Sequence, residues 1–297
     1  MTGYSLFGHL IVLGFIGAKF ASGGVPHVHD GRDAKAHSHP WLLSLQLMHP
    51  ERGSIHNCGA SLLKVPYWKD ASDIVVTASH CVALGDNKLS ACNNKTLYKS
   101  FSVIASNHYL LELDEGEVKV RVSGGQCHPA WIPPMSPTMM GDITIFKLAQ
   151  PLQFTKNIQP IALPEQNEEV LPGTECIAAG WGQTIYYFDQ NKKYQRGRPP
   201  DVLQEINVTI AMRNECQKYS ESYDAKTMIC HTAVDSQHLL SGDSGGALVC
   251  KKNYKNVLYG VASFIADANS TRIVATVFTE VSKYRNWIDD IILTSMP

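Results

Sequence analysis

Residues 242–246 have the sequence Gly-Asp-Ser-Gly-Gly, and this run is the most informative stretch of the 297-residue chain for both its fold and its chemistry. A serine hydroxyl is a weak nucleophile at neutral pH, so it needs a base that takes its proton, and imidazole titrates in the required range. The upstream run Thr-Ala-Ser-His-Cys at 77–81 supplies His80, and Gly-Asp-Ile at 141–143 supplies Asp142. A buried carboxylate can hold the imidazole in one tautomer. The three residues together therefore predict a nucleophilic hydrolase with Ser244 as the nucleophile.

The glycines around Ser244 meet a second demand of this chemistry. Negative charge develops on the attacked carbonyl oxygen, and backbone N–H groups that no side chain obstructs can stabilise it. We therefore predict the N–H groups of Gly242 and Ser244 as the oxyanion hole.

The same run also fits Gly-x-Ser-x-Gly, the nucleophile elbow of α/β-hydrolases, which makes an esterase or lipase the alternative enzyme. That fold places its histidine after the serine in the chain. No histidine occurs anywhere from Gly245 to Pro297. The order of the residues therefore excludes the elbow.

From about Val28 to the C-terminus the chain resembles the chymotrypsin/trypsin-like serine proteases. Besides the runs around His80 and Ser244, the matching stretches are 40–45 (Pro-Trp-Leu-Leu-Ser-Leu), 58–62 (Cys-Gly-Ala-Ser-Leu), 176–182, which ends in Gly-Trp-Gly, and 277–281 (Val-Phe-Thr-Glu-Val). The resemblance implies peptide-bond hydrolysis through an acyl-enzyme. It assigns His80 as general base, Asp142 as the group that orients it, and Ser244 as nucleophile.

The resemblance also implies an all-β fold of two six-stranded antiparallel β-barrels followed by a C-terminal α-helix. The first barrel is expected at about 28–140 and the second at about 141–281. Short β-branched segments separated by turn signals agree with this class. The strands are expected at 73–78, 118–122, 143–148, 202–211, 257–264 and 274–281. Apolar residues at helical spacing predict the helix over 282–294, with Ser282 as its cap.

The N-terminus and the composition favour a secreted, extracellular protein. An apolar stretch at 10–17 is too short to span a bilayer and is followed by small residues at 21–23, so residues 1–23 are expected to be a signal peptide. A net charge of −1 provides no electrostatic case for binding nucleic acid or an anionic membrane. We expect no membrane span.

The eight cysteines are an even number and favour an oxidising compartment. The spacing does not define their connectivity, but the resemblance implies the pairs Cys58 with Cys81, Cys176 with Cys250, and Cys216 with Cys230. Cys92 and Cys127 remain and are paired by elimination. Sequons predict N-glycosylation at Asn94, Asn207 and Asn269.

Activation of the zymogen is the first departure from the family pattern. In the family, cleavage frees an N-terminal Ile or Val whose amino group pairs with the Asp before the serine, here Asp243. Counting twelve residues back from Pro40 leads to Val28, which predicts a short propeptide at 24–27 and a protease domain at 28–297. His27 precedes Val28, so activation by a trypsin-like enzyme is not supported.

The specificity pocket is the second departure. The residue six before the serine is Asp in trypsin-like members and His238 here, so cleavage after Lys or Arg is not expected. In other members of the family, glycines at two positions in the pocket walls keep the pocket open. Ile265 and Thr276 stand at these positions here, and bulk from both walls makes a shallow pocket, as in pancreatic elastases. The implied preference is a small or medium aliphatic residue before the scissile bond.

The remaining expected substrate-binding residues are Ser241, Ser263 and Phe264. The segment 263–265 is expected to pair with an extended substrate peptide. Leu240 and Ala268 stand where cysteines usually tie the two walls of the pocket, a bridge that mast-cell chymases and granzymes also lack.

We expect no cofactor and no metal. His27, His29, His37 and His39 are close in sequence, but a zinc site needs several ligands that converge in space. An acidic stretch at 114–117 has no complete oxygen-ligand pattern for calcium.

The expected partners are protein or peptide substrates and serpin-type or other protease inhibitors, and the protein is expected to be a monomer. The alternative function is a catalytically silent protease-like binding or signalling protein. Such chains usually show a replaced triad residue, and here none is replaced.

Overall fold

The computed structural model describes residues 31–49, 53–82, 92, 95–131, 139–182, 186–188, 194–196, 199–234, 239, 242–267 and 273–295. The signal peptide, the propeptide and several expected site residues lie outside these ranges: Val28, Asn94, His238, Leu240, Ser241, Ala268 and Asn269.

A closed antiparallel barrel forms the first lobe. Its strands are β2 (Leu42–His49), β3 (Gly53–Leu62), β4 (Ala71–Thr77), β5 (Phe101–Ala105), β6 (Val118–Cys127) and β7 (Thr144–Gln153), in the order β2-β3-β4-β7-β6-β5. β4 is buried along its whole length, and its Ile74, Val75 and Val76 fit a barrel interior because β-branched side chains pack well on a pleated surface.

The first barrel extends further along the chain than expected. β7 pairs with both β4 and β6 and closes the barrel, so the boundary between the lobes lies after Gln153 and the expected boundary near residue 140 is wrong. Asp142 directly precedes β7, which places it on the first barrel.

A seven-stranded antiparallel sheet forms the second lobe. It contains β1 (Arg32–Asp33), β8 (Glu175–Gly180), β11 (Gln204–Thr209), β12 (Met228–Val234), β13 (Ala247–Lys252), β14 (Lys255–Asp267) and β15 (Ile273–Glu280). Its order is β1-β11-β8-β13-β14-β15-β12, and a separate hairpin pairs β9 (Tyr186–Phe188) with β10 (Tyr194–Arg196).

The all-β, two-lobed fold class is confirmed, but the second lobe differs in detail from a closed six-stranded barrel. In the described residues its sheet is open, because β11 and β12, which would have to pair to close a barrel, form no ladder with each other. Beyond that point the Ala211 N–H donates to the Cys230 carbonyl at 2.9 Å, which bridges the two ends of the sheet. The short strand β1 adds the N-terminal segment to this lobe through β11.

The C-terminal helix is present but starts later than expected. One-turn 3-10 helices lie at Ser79–Val82 and Val281–Lys283, and the α-helices are α1 (Lys95–Tyr98), α2 (Arg213–Gln217) and α3 (Arg285–Thr294). Ser282 belongs to the 3-10 turn and does not cap α3, because Tyr284 occupies the N-cap position. α3 buries Ile288 and Ile292 against the core that contains the first barrel.

Four disulfides join Cys58 to Cys81, Cys92 to Cys127, Cys176 to Cys250, and Cys216 to Cys230. These are the pairs implied by the resemblance together with the pair reached by elimination. Among the helices in the described ranges, none has the length and apolar character needed to cross a bilayer.

Candidate active site

His80 lies on a single 3-10 turn that follows the fully buried strand β4. The neighbouring Ser79 is buried, and its hydroxyl donates to the Ile143 carbonyl at 2.8 Å. Cys81, on the other side, is bonded to Cys58 of β3. His80 is therefore held from both sides while its side chain keeps about a quarter of its surface, 23%, exposed.

Asp142 is buried and accepts hydrogen bonds at both carboxylate oxygens. Its Oδ2 lies 2.7 Å from His80 Nδ1, and its Oδ1 accepts the His80 backbone N–H at 2.8 Å. The Ser263 hydroxyl donates to Oδ2 at 2.5 Å, and the Thr279 hydroxyl donates to the Asp142 carbonyl at 3.0 Å. An ionised carboxylate here accepts the Nδ1–H of His80 and leaves Nε2 as the basic nitrogen.

The loop that carries Ser244 packs directly on the segment that carries His80. The Gly59 N–H donates to the Ser244 carbonyl at 2.8 Å, and the Thr77 hydroxyl donates to the Gly59 carbonyl at 2.8 Å. Gly245 donates its N–H to the Ala262 carbonyl of β14 at 2.8 Å. Strands from both lobes thus hold the loop that carries Ser244 beside the segment that carries His80.

Gly242 adopts a φ of 103°, a conformation that residues with a Cβ rarely reach, so the expected oxyanion loop requires glycine at this position. His56 fixes this peptide, because its Nε2 lies 3.1 Å from the Gly242 carbonyl oxygen. The other ring nitrogen, Nδ1, is 2.8 Å from the Ser44 hydroxyl. Within the described part of the chain, the N–H groups of Gly242 and Ser244 donate to no protein acceptor.

Asp243, the residue before Ser244, is buried. Its Oδ1 accepts the Gly182 N–H at 2.7 Å. A Cβ added at Gly182 would lie 2.2 Å from Asp243 Oδ2, which explains why glycine follows Trp181. This contact ties the Asp243 carboxylate to the segment that directly follows β8 of the second lobe.

Two expected pocket residues lie side by side on neighbouring strands. Ile265 of β14 pairs in register with Thr276 of β15, so their side chains share one face of the sheet. Thr276 is only 2% exposed, and its hydroxyl accepts the Leu239 N–H at 3.4 Å, whereas Ile265 is 36% exposed. Thr276 is therefore the deep residue and Ile265 the outer one. Ser263 is buried beside Asp142. Phe264, which lies between Ser263 and Ile265 in β14, is half-buried.

Comparison with known proteins agrees with this arrangement. A family model described as Trypsin matches residues 28–288. The chain belongs to the trypsin family. It is 30% identical to granzyme B of Rattus norvegicus over 87% of this chain and 88% of that protein. It is 28% identical to cathepsin G of Homo sapiens over 94% of this chain and 92% of that protein, and 30% identical to granzyme-like protein 1 of Rattus norvegicus over 88% and 89%. As a member of the trypsin family, the protein is a serine endopeptidase.

His56 should make the stability of this trypsin-family chain depend on pH. The imidazole ring of His56 packs edge-on against Trp181 and is enclosed, although the residue as a whole keeps some exposed surface. The burial of the ring lowers the pKa of His56 from 6.5 to about 4. The folded state therefore holds neutral imidazole, and the stabilisation is complete above pH 6.5 and is lost as the pH falls from 6.5 to 4. We expect a loss of about 2–3 kcal/mol over that range.

Thermal unfolding of the Ser244→Ala protein at several pH values measures this loss without autolysis. In a His56→Gln variant, the part of the pH dependence between pH 6.5 and 4 should become smaller. An unchanged pH dependence in His56→Gln would contradict the assignment.

Three residues of the site were not predicted from the sequence: Ser44, His56 and Thr279. Ser44 and Thr279 lie inside stretches that carry the family resemblance, but no local pattern marks their hydrogen bonds. Cys58 and Cys81 lie close to His80, but their sulfurs are bonded to each other and are not available as thiolate ligands for a metal.

Proposed function

We propose that this trypsin-family protein is a secreted endopeptidase that cleaves after small or medium aliphatic residues and not after Lys or Arg. The observation that carries the proposal is the buried Asp142 carboxylate, which binds the Nδ1 side of His80 beside the loop that presents Ser244. A general base that serves a serine nucleophile needs such an orienting carboxylate on its other ring nitrogen.

In the proposed mechanism, Ser244 Oγ attacks the scissile carbonyl while His80 Nε2 takes its proton. Asp142 stabilises the imidazolium that forms. The N–H groups of Gly242 and Ser244 donate to the oxyanion of the tetrahedral intermediate. His80 then protonates the leaving amine, and a water molecule, deprotonated by His80, hydrolyses the acyl-enzyme to release the second product and restore the serine hydroxyl.

The paired side chains Ile265 and Thr276 support the proposed preference for aliphatic residues. Both point to one face of the sheet, and Thr276 is anchored at depth by the Leu239 N–H. Two branched side chains occupy volume that glycines would leave open, so a long side chain meets steric resistance. A desolvated Lys or Arg side chain also finds no carboxylate among these residues, and burying an unpaired cation is costly.

β14 also supports the proposed binding of an extended substrate peptide. Its ladder to β15 shifts register between Ala262 and Phe264, and this irregularity surrounds Ser263, whose side chain turns inward to Asp142. Such bulges re-aim side chains next to active sites. The same short segment would then position Asp142 and pair with the substrate backbone.

Secretion, activation and glycosylation are part of the proposal. Four disulfides fit an oxidising compartment. The buried Asp243 is a suitable partner for an N-terminal amino group at Val28 after release of residues 24–27. Of the three sequons, Asn207 lies in the described chain, where its side chain is exposed on β11.

Cleavage of a diverse peptide library by the activated protein tests the proposed specificity. We expect cleavage after Ala, Val and similar aliphatic residues, with Lys and Arg strongly disfavoured. Efficient cleavage after Lys or Arg would contradict the proposed pocket but not the proposed catalytic residues. N-terminal sequencing of the active form tests Val28 separately.

Exchange of the two pocket residues should widen specificity. We expect Ile265→Gly combined with Thr276→Gly to raise kcat/KM for substrates with Leu or Phe before the scissile bond by about tenfold or more, because pocket volume discriminates side chains at this level. Leu113→Gly, on an exposed loop, is the matched control and should leave the profile unchanged. Continued refusal of large side chains by a folded double variant would contradict the shallow pocket.

A further inference from the structure

Two histidines outside the proposed catalytic site lie close together in the structure. His37 comes from the segment between β1 and β2, and His108 from the loop between β5 and β6. Their ring centroids are 6.3 Å apart, and the ring planes are tilted by 51°. The two imidazoles are therefore brought together by segments that are distant in sequence.

Both rings carry a polar atom without a protein partner. The Nδ1 atoms of His37 and His108 are buried, and within the described part of the chain neither forms a hydrogen bond. His108 as a whole is only 4% exposed. Buried polar atoms are normally satisfied, and an unsatisfied one calls for a ligand such as an ion or water.

Acidic side chains lie in the neighbourhood of the pair. Burial has the largest effect on the pKa of His108 and lowers it, whereas the carboxylates of Asp33, Asp114 and Asp201 each act to raise it. Asp114 holds the loop, because its Oδ2 accepts the backbone N–H groups of His108 and Tyr109 at 2.5 and 2.9 Å. Burial lowers the pKa of His108, which favours the neutral imidazole that binds metals.

The backbone of His37 is also unusual. Its φ is 58°, in the left-handed region that non-glycine residues rarely adopt. Residues held in such conformations concentrate at binding and active sites, where surrounding contacts impose them. Here the conformation accompanies the approach of the ring to His108.

The spacing of the rings fits an ion that bridges them. With Zn–N bonds of about 2.0–2.1 Å, a zinc ion lies about 3.2 Å from each ring centroid, so a linear bridge spans about 6.4 Å and a tetrahedral one about 5.2 Å. The observed 6.3 Å lies within this range. A closure of about 1 Å would give the tetrahedral angle that zinc prefers.

We propose that His37 and His108 form a binding site for a divalent transition-metal ion, with Zn²⁺ as the best-fitting ion. Imidazole is a preferred ligand of zinc, and water would occupy the remaining coordination positions. This site is separate from the proposed catalytic residues and departs from the expectation of no metal.

An ion at this site would cross-link two segments next to the second lobe. The His108 carbonyl accepts the indole N–H of Trp181 at 3.1 Å and the N–H of Leu203 at 2.9 Å. Trp181 precedes Gly182, which donates to Asp243. Zinc should therefore stabilise the fold by linking the N-terminal segment to the loop on which Trp181 rests.

Isothermal titration of the full chain with Zn²⁺ tests the site. The protein carries Ser244→Ala and His80→Ala, so that neither autolysis nor the active-site imidazole contributes. We expect one ion to bind, and His37→Gln and His108→Gln each to weaken binding by at least about tenfold. His39→Gln is the matched control and should bind normally, because His39 is only two residues from His37 but pairs with Glu205. Co²⁺ absorption reports imidazole coordination directly.

The result that overturns the proposal is an affinity for Zn²⁺ that is unchanged in either single variant, or no binding to the parent at about 1 mM Zn²⁺. If His108→Gln does not fold, His37→Gln decides, because His37 is the less buried of the two residues. The parent is catalytically inactive by design, so the outcome is independent of the proposed enzymatic activity.

Discussion

Ser244→Ala is expected to abolish labelling of the activated protein by a fluorophosphonate and to lower kcat by about a million-fold. The hydroxyl is the proposed nucleophile, and neither His80 nor the oxyanion donors can form an acyl-enzyme without it. The Gly59 N–H would still bind the carbonyl of residue 244, so the loop should keep its conformation. KM should change little, because alanine removes no proposed contact to the substrate.

Ser123→Ala is the matched control, because its hydroxyl bonds carbonyl groups of β7 on the first barrel and not the proposed site. It should retain normal labelling and turnover. If the activated wild-type protein shows no labelling that depends on Ser244, the silent protease-like binding protein becomes the better account of the chain.

Asp142→Asn should have the second-largest effect, a loss of about 10⁴-fold in kcat. The carboxylate is buried, and its Oδ2 accepts from both His80 Nδ1 and Ser263 Oγ. An amide can present a donor where these two groups need an acceptor, so His80 would be driven to the tautomer in which Nε2 carries the proton. That nitrogen could then no longer accept the proton of Ser244.

The measurement is kcat and KM on a short peptide, with thermal unfolding to establish that the variant is folded. Asp289→Asn is the control, because it changes a partly exposed ion pair with Arg285 on the C-terminal helix, away from the proposed site. Loss of activity that merely follows loss of folded protein would make Asp142 a structural residue. A folded Asp142→Asn protein with near-normal kcat would remove it from the mechanism.

The sequence was sufficient to predict the fold class and to propose the triad, because each of its residues lies in a short run that chemistry and family resemblance both explain. The contacts that hold the site were not predictable in this way. Ser44 and Gly242 are bridged by His56 although they are almost 200 residues apart in the chain, and no local pattern encodes such a bridge. The same applies to the hydroxyl of Thr279, which reaches Asp142 from the last strand.

The errors in the fold have physical causes. β7 completes a barrel by pairing with two earlier strands, and strand pairing over that distance depends on tertiary packing more than on local composition. Ser282 has the residue type of an N-cap, but the chain first makes a 3-10 turn that moves the start of α3 to Arg285. The proximity of His37 and His108 could not be predicted either, because the two residues are 71 positions apart and only tertiary packing brings them together.

The carboxylate of Asp142 lies on the first lobe, yet Ser263 and Thr279, which fix it, belong to strands of the second. The proposed catalytic geometry is therefore a property of the joint between the lobes and of neither lobe alone. A shift of about 1 Å at that joint would misalign the acid, the base and the nucleophile together. Catalytic turnover should therefore depend on the correct alignment of the two lobes. A ligand that contacts both lobes would stabilise the alignment of the proposed catalytic residues in addition to filling the cleft.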